Sequence, residues 1–447
     1  MLGRFGVGLG VIRRHGAALG RVFGTEWAQI GDSFSDNSVT HTATTQQYRD
    51  VGMITWAMSL AKQSTYYPTA NELGVGGLAL ASIKDQPSTV PSTAKLLLAN
   101  GSINDKLTAL GPGANTMIDS ATALFNNMIA LGNDVAKFYI PITDRLLDND
   151  SVYRAKTVAY NNWVYAGGGT RTDGLPITQT IRIENIVSQG YYDGKQVIVL
   201  NIDQLMDPVT GIGFNNFAGP DGDHPSNVYA YVIGKQLAQV LPILGIATPG
   251  APVKPNGTDL IPSNRGQFNV ANNAGTKVGG GGFTASGNVG TGWQLNRGAG
   301  SSTTAGVADL VTDGDGVVWQ KVVITTTVAG SGNEAVQVQL NPAISGGVSA
   351  GDVCQIGGRF KIVSAQTLLG VTCTLRESGP GSPQNDISHG GANQLQFEAC
   401  EGSFKSPPIT LQSGITGFIT TLACNINSLL TGTSEVHFAD VWVRKLS

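Results

Sequence analysis

Residues 27–30, Trp-Ala-Gln-Ile, make a short apolar run that Gly31-Asp32-Ser33 breaks at once, and polar residues suited to capping a helix follow. The pattern is that of a buried strand running straight into a turn and a helix. It puts Ser33 at the carboxyl end of a strand, where open α/β sheets bind ligands and backbone N–H groups can stabilise an oxyanion. Taken alone, Gly-Asp-Ser is only a turn. The residues further along give it chemical meaning.

Residues 26–247 alternate between strand-like and helix-like stretches, which predicts a parallel sheet covered on both faces, a three-layer α/β/α domain. Helices are expected over 46–63, 116–131 and 228–240, and strands over 135–142 and 196–202. Between 148 and 178 lies an aromatic, glycine-rich stretch with Tyr153, Tyr160, Trp163 and Tyr165, expected as a loop whose aromatics wall the substrate site. Over 248–292 the composition shifts to Pro, Gly, Asn and Thr, which reads as a linker with room for a loosely ordered first strand. From Trp293 to the end the pattern is β: Val336-Gln337-Val338-Gln339-Leu340 alternates strictly, and 317–327 is rich in β-branched residues. A sandwich of the jelly-roll type is expected over 293–447.

At 447 residues the chain exceeds one ordinary core. A net charge of -3 without long single-sign runs argues against a nucleic-acid surface. Sparse charge (13%) and 60 glycines suit a β-rich protein that works outside the cytoplasm. Residues 1–25 carry Arg4, Arg13, Arg14 and Arg21 without an acid. They are expected to form a basic, glycine-rich arm that docks onto a larger assembly; the apolar run is too short and broken for a signal peptide or a membrane span. Cys354, Cys373, Cys400 and Cys424 contain no C-x-x-C pair, so free thiols are expected ahead of disulfides.

A serine hydroxyl is a poor nucleophile unless a base takes its proton. Besides His41, His224 is the one histidine in the α/β stretch, and Asp221 lies three residues earlier, close enough to fix its tautomer. Asp223 is the alternative, but adjacent side chains point apart. Gly74-Val75-Gly76-Gly77, Asn100-Gly101-Ser102-Ile103-Asn104-Asp105 and Asp221-Gly222-Asp223-His224-Pro225 follow the opening stretch in order. Together the four resemble the sequence blocks of the SGNH, or GDSL, hydrolase family. That resemblance implies a flavodoxin-like fold for 26–247. It also implies a Ser33–His224–Asp221 triad and oxyanion donors at Ser33 N–H, Gly77 N–H (Gly76 within register error) and the Asn104 side chain. One departure is that Ser102 stands where the family's third block has glycine.

The β-rich part looks similar to carbohydrate-binding modules of secreted hydrolases. The expected activity is thus that of a serine esterase removing O-acetyl groups from a polysaccharide, with Tyr160, Trp163 and Tyr165 stacking on sugar rings. Alternatives are a lipase or esterase on acyl lipids, and a non-catalytic carbohydrate-binding or adhesion protein of a virion or cell surface. The arm, hydrolase and sandwich together look similar to phage tail-spike deacetylases, which implies an extracellular or virion-associated, trimeric protein. No cofactor, metal or nucleic-acid partner is expected. Gly347-Val348-Ser349-Ala350-Gly351 matches a nucleophile elbow only formally, since no helix pattern follows it. Asp313-Gly314-Asp315-Gly316 lacks calcium-loop spacing, and His15, His389 and His437 stand apart from any ligand pattern.

Overall fold

The computed structural model describes residues 26–447 apart from 37–38, 43–46, 51, 63–66, 68, 102, 112, 144–149, 169–178, 215–223, 225, 246–252, 262–265, 272, 300–302, 331, 342, 345, 379–383, 390–397 and 415–416. The expected arm over 1–25 lies outside these. In chain order come β1 (Trp27–Ile30), α1 (Ser33–Asp36), β2 (Val39–Thr42), β3 (Gln47–Asp50), α2 (Met53–Leu60), α3 (Leu80–Ile83) and β4 (Leu96–Asn100). Then follow α4 (Met117–Ala130), β5 (Ala136–Ile140), α5 (Ser151–Tyr165), β6 (Thr180–Arg182), α6 (Ile183–Gln189), β7 (Val197–Val199) and α7 (Asn227–Val240).

Five of these strands form a parallel sheet in the order β1-β4-β5-β7-β6. β1, β4, β5 and β7 are nearly continuous apolar runs and are buried throughout, as a sheet covered on both sides requires, while the edge strand β6, Thr-Ile-Arg, is more polar and only partly buried. Even Lys137 on β5 is buried, its ammonium answered by the carbonyls of Gly132 and Gly194. Helices α4 and α5 cover the face of Tyr139, which meets Phe125 edge-on at 4.9 Å and the Tyr160 hydroxyl at 2.5 Å. Helices α2, α6 and α7 form a second group. A flavodoxin-like order places a full strand on the outer side of the first. Among the described residues that place holds only an isolated bridge between Gln29 and Glu72.

The remaining strands are β8 (Ala274–Lys277), β9 (Phe283–Gly287), β10 (Val289–Ala299), β11 (Thr303–Thr312), β12 (Val318–Val328), β13 (Asn333–Leu340) and β14 (Val353–Ala365). They continue with β15 (Leu368–Ser378), β16 (Gln384–His389), β17 (Cys400–Lys405), β18 (Ile409–Thr410), β19 (Gly417–Asn427) and β20 (Gly432–Lys445). Two sheets result, β2-β3-β16-β15-β19-β13-β10-β8 and β17-β14-β20-β12-β11-β9, with β18 on β14. Alternating burial along β11 and β12 is the mark of a sandwich with one wet and one dry face per sheet. All four cysteines are free thiols.

Three expectations are corrected. The stretch 46–63 is not one helix: Gln47–Asp50 is a strand, and helix begins at Met53. The supposed linker contains β8, β9 and the start of β10. Ahead of these, Leu260 N–H bonds the Val443 carbonyl at 2.7 Å, and buried Asp259 pairs with Arg444. The supposed loop after 148 is largely helix α5, capped by Asp150, whose carboxylate accepts from the N–H groups of Val152 and Tyr153.

The two regions are fastened together. Trp56 on α2 meets Tyr231 on α7 and Phe360 on β14 edge-on, at 4.9 and 6.2 Å. Glu398 takes the Tyr231 hydroxyl at 2.5 Å and Lys235 at 2.7 Å, while Glu401 joins Lys62 to Arg359. The β2–β3 hairpin, from the early chain, completes the sandwich by pairing in parallel with β16.

Candidate active site

Ser33 is the first residue of α1, directly beyond β1, and of residues 27–35 it alone is not buried. The turn beneath it is held from three sides. Gly31 donates its N–H to Gln86 Oε1 at 2.7 Å, and Gln86 Nε2 returns a bond to the Gly31 carbonyl at 3.2 Å. Gly31 has φ +143°, and a Cβ there would sit 1.7 Å from Asn100 Oδ1, so this position admits glycine alone. The fully buried Asp32 carboxylate accepts from Phe34 N–H (3.0 Å), Asn100 Nδ2 (2.7 Å) and Ile103 N–H (3.1 Å). The Ser35 hydroxyl adds a bond to Asn100 Oδ1 at 2.6 Å.

These bonds join the turn after β1 to the turn after β4, which carries Asn104. Asn104 directly precedes a short 3-10 helix (Asp105–Leu107), and its Nδ2 donates to the Leu78 carbonyl at 3.0 Å, next to Gly77. The Gly77 loop is itself tied to β1, with Val75 N–H on the Gly31 carbonyl at 3.0 Å. Gly77 is exposed, with φ +81° and open space around its α-carbon. Helix α5 braces the Asn104 turn from behind. The Tyr153 hydroxyl bonds the Ile103 carbonyl at 3.1 Å, and Lys156 bonds the carbonyls of Lys106 and Thr108. Burial lowers the pKa of Lys156.

His224 lies two residues before Ser226, whose hydroxyl caps α7 by accepting from Tyr229 N–H at 3.1 Å. The His224 ring is 6.5 Å from the ring of Phe34, the neighbour of Ser33, and Tyr229 meets Phe34 edge-on at 5.7 Å. The end of β1 therefore gathers the segments bearing Ser33, Gly77, Asn104 and His224. Asp221, and its alternative Asp223, lie outside the described residues.

Of the expected aromatic wall, Tyr160 is overturned. Tyr160 is fully buried against the sheet, with its hydroxyl on Tyr139, so it has no face for a sugar; burial raises the pKa of both phenols far above the usual range. Trp163 stacks on Phe125 at 6.2 Å. Tyr165 lies under the Arg182 guanidinium, with its hydroxyl between Leu200 and Ile202. On α5, Tyr160 shares one buried face with Tyr153, Thr157 and Val164.

Sequence reasoning missed the supports: Asp32, Asn100, Gln86, Tyr153 and Lys156. Asp32 and Asn100 had a readable signal, each being a polar residue set directly where a buried apolar run ends. Elsewhere, Asp313 organises its turn by accepting from Asp315 and Val317 N–H and from Trp319 Nε1 at 2.8 Å. No cluster suited to a metal ion occurs among the described residues.

No protein-family model and no curated protein matches the chain. Among solved structures it is similar to TesA, at 13% identity and a TM-score of 0.28, with 49% of this chain and 97% of TesA covered. It is similar to a carbohydrate-binding module of the β-sandwich super family, at 13% identity and TM-score 0.25 over 34% of this chain and 56% of that one. It is also similar to the enzymatically active domain of bacteriophage CBA120 tailspike protein 4, at 12% identity and TM-score 0.24 over 42% and 22%. The chain thus spans about half of the module's chain and about a fifth of the tailspike's. Likeness this low says nothing of chemistry.

Proposed function

We propose that the protein is a serine ester hydrolase whose nucleophile is Ser33, with O-acetyl groups on a polysaccharide as the substrate. The observation that carries this reading is the accessible Ser33 in an otherwise buried strand–turn–helix, with His224 against its neighbour Phe34. In this reading His224 takes the Ser33 hydroxyl proton as Oγ attacks the ester carbonyl. The tetrahedral oxyanion is held by the Ser33 and Gly77 N–H groups and the Asn104 amide, each donor worth about 3 kcal/mol of barrier. Collapse expels the sugar hydroxyl, which leaves with the proton from His224. Water, deprotonated by the same imidazole, then releases acetate and restores Ser33. Asp221 orients the imidazole throughout.

The buried clamp around Asp32 supports the reading, because an oxyanion hole works only if its donors are fixed beforehand. A rigidly attached sandwich suits a polymer substrate, and we read it as jelly-roll in type. The test is hydrolysis of 4-nitrophenyl acetate, followed by acetate release from acetylated polysaccharides, by the wild type beside Ser33→Ala. Turnover lost in the variant is the expected result. No turnover from either protein on ester and glycan alike would sink the esterase and leave a binding protein.

A further inference from the structure

The described residues contain an open groove of about 370 Å³ between α6 and α7, floored by the chain that leaves β7. It is not the Ser33 site: Gln236, in its wall, lies nine residues beyond the start of α7, about 13 Å along the helix from the end that carries His224. Its floor is set in advance. Asn201 N–H donates to Gln236 Oε1 and Gln236 Nε2 donates to the Asn201 carbonyl, both at 2.7 Å. Such a clamp removes an ordering cost from binding.

The chemistry of the lining is neutral and polar. Ser188, Gln204 and Gln239 are exposed on the groove's walls, and among the described residues no protein group bonds their side chains, so two amides and a hydroxyl face the groove's solvent. Both charged groups in the lining already have counter-ions: Glu184 pairs with Arg182 at 3.2 Å, and Lys235 with Glu398 at 2.7 Å. Alongside them Val187, 45% exposed, and buried Val232 supply an apolar strip. A free phosphate or carboxylate would find no unpaired cation here.

We propose that this groove binds a neutral saccharide of one or two rings. Ring hydroxyls would bond the Gln204 and Gln239 amides and Ser188, while the C–H face of a ring lies on Val187 and Val232. The volume is in the lower part of the range that ligand pockets occupy. The site is independent of the esterase reading.

The full-length protein is titrated with maltose, cellobiose, lactose and β-1,4-mannobiose, read by saturation-transfer NMR and calorimetry. At least one binds in the millimolar range. Ser188→Trp, which fills the groove from an exposed position, and Gln239→Ala each weaken that binding by about tenfold or more, the loss of one good contact. Ser33→Ala leaves it unchanged, and circular dichroism melts confirm that the variants fold. Binding of none of the four at tens of millimolar overturns the proposal. So does binding that both groove variants leave intact, since the sugar then sits elsewhere.

Discussion

Asn100 Nδ2 reaches Asp32 Oδ1 at 2.7 Å across the ends of the neighbouring strands β4 and β1, and the same carboxylate takes the N–H groups of Phe34 and Ile103. One buried anion thus sets the spacing between the Ser33 turn and the Asn104 turn. Asp32→Asn replaces an acceptor oxygen by a donor that must face another N–H. The expected loss is about 2–3 kcal/mol of stability in denaturant unfolding, the cost of a stranded buried donor. Ester turnover should fall with it; a variant as stable as the wild type would remove Asp32 from the scaffold.

Two glycines near the site should respond oppositely to alanine. At Gly31 the added Cβ collides with Asn100 Oδ1, so Gly31→Ala is expected to yield little folded protein. At Gly77 the space is open and only the left-handed φ penalises alanine, about 1–2 kcal/mol. Soluble expression and thermal melts of the two variants check the contrast.

Tyr160→Phe tests the correction to the aromatic wall. Removing the hydroxyl leaves that of Tyr139 without its 2.5 Å partner, and the protein should lose about 1–2 kcal/mol. Ester turnover should stay within about twofold of the wild type, as befits a change in the core. A large rise in KM for a glycan substrate, without loss of stability, would restore Tyr160 to the site.

Stability should also carry the signature of Lys137. Burial lowers its pKa to about 8, with the charges of Asp193 and Asp134 only partly offsetting this; an ordinary lysine titrates near 10.4. Between these values the unfolded chain holds a proton that the folded protein has released, so this lysine's contribution to stability rises with pH. It is full above about 10.4 and lost as pH falls through about 8. The difference in unfolding free energy between wild type and Lys137→Met should climb across that window. A flat difference would mean an unshifted lysine.

Much of the parallel sheet was legible because its strands are short apolar runs ended by Gly, Asn or Asp, as in Ile30-Gly31 and Asn100-Gly101. The sandwich was legible from period-two alternation, as along Val336 to Leu340. What failed depended on partners far off in the chain. Gln47–Asp50 reads locally as helix and becomes strand because β16 offers it an edge. The stretch holding Tyr160 looked like a loop because Gly167 and Gly168 follow closely, yet its Tyr153, Tyr160 and Val164 form one buried helix face. Over 248–292 the Pro and Gly content masked chain that packs on β20 through Leu260 and Asp259. Proximity of Ser33 to Asn104 could be inferred only by resemblance, since the Asp32 bonds that create it join residues some seventy positions apart.

The pairing of β3 with β16 also orders events at the ribosome. The β2–β3 hairpin emerges more than three hundred residues before the strand that completes its sheet. At ordinary elongation rates of about 5–20 residues per second, its open edge waits for roughly 20 to 70 s. Through that interval a strand edge is available to any neighbouring chain. Translation speed and nascent-chain chaperones therefore bear on the yield of this protein more heavily than on one whose sheets close in the order they are made.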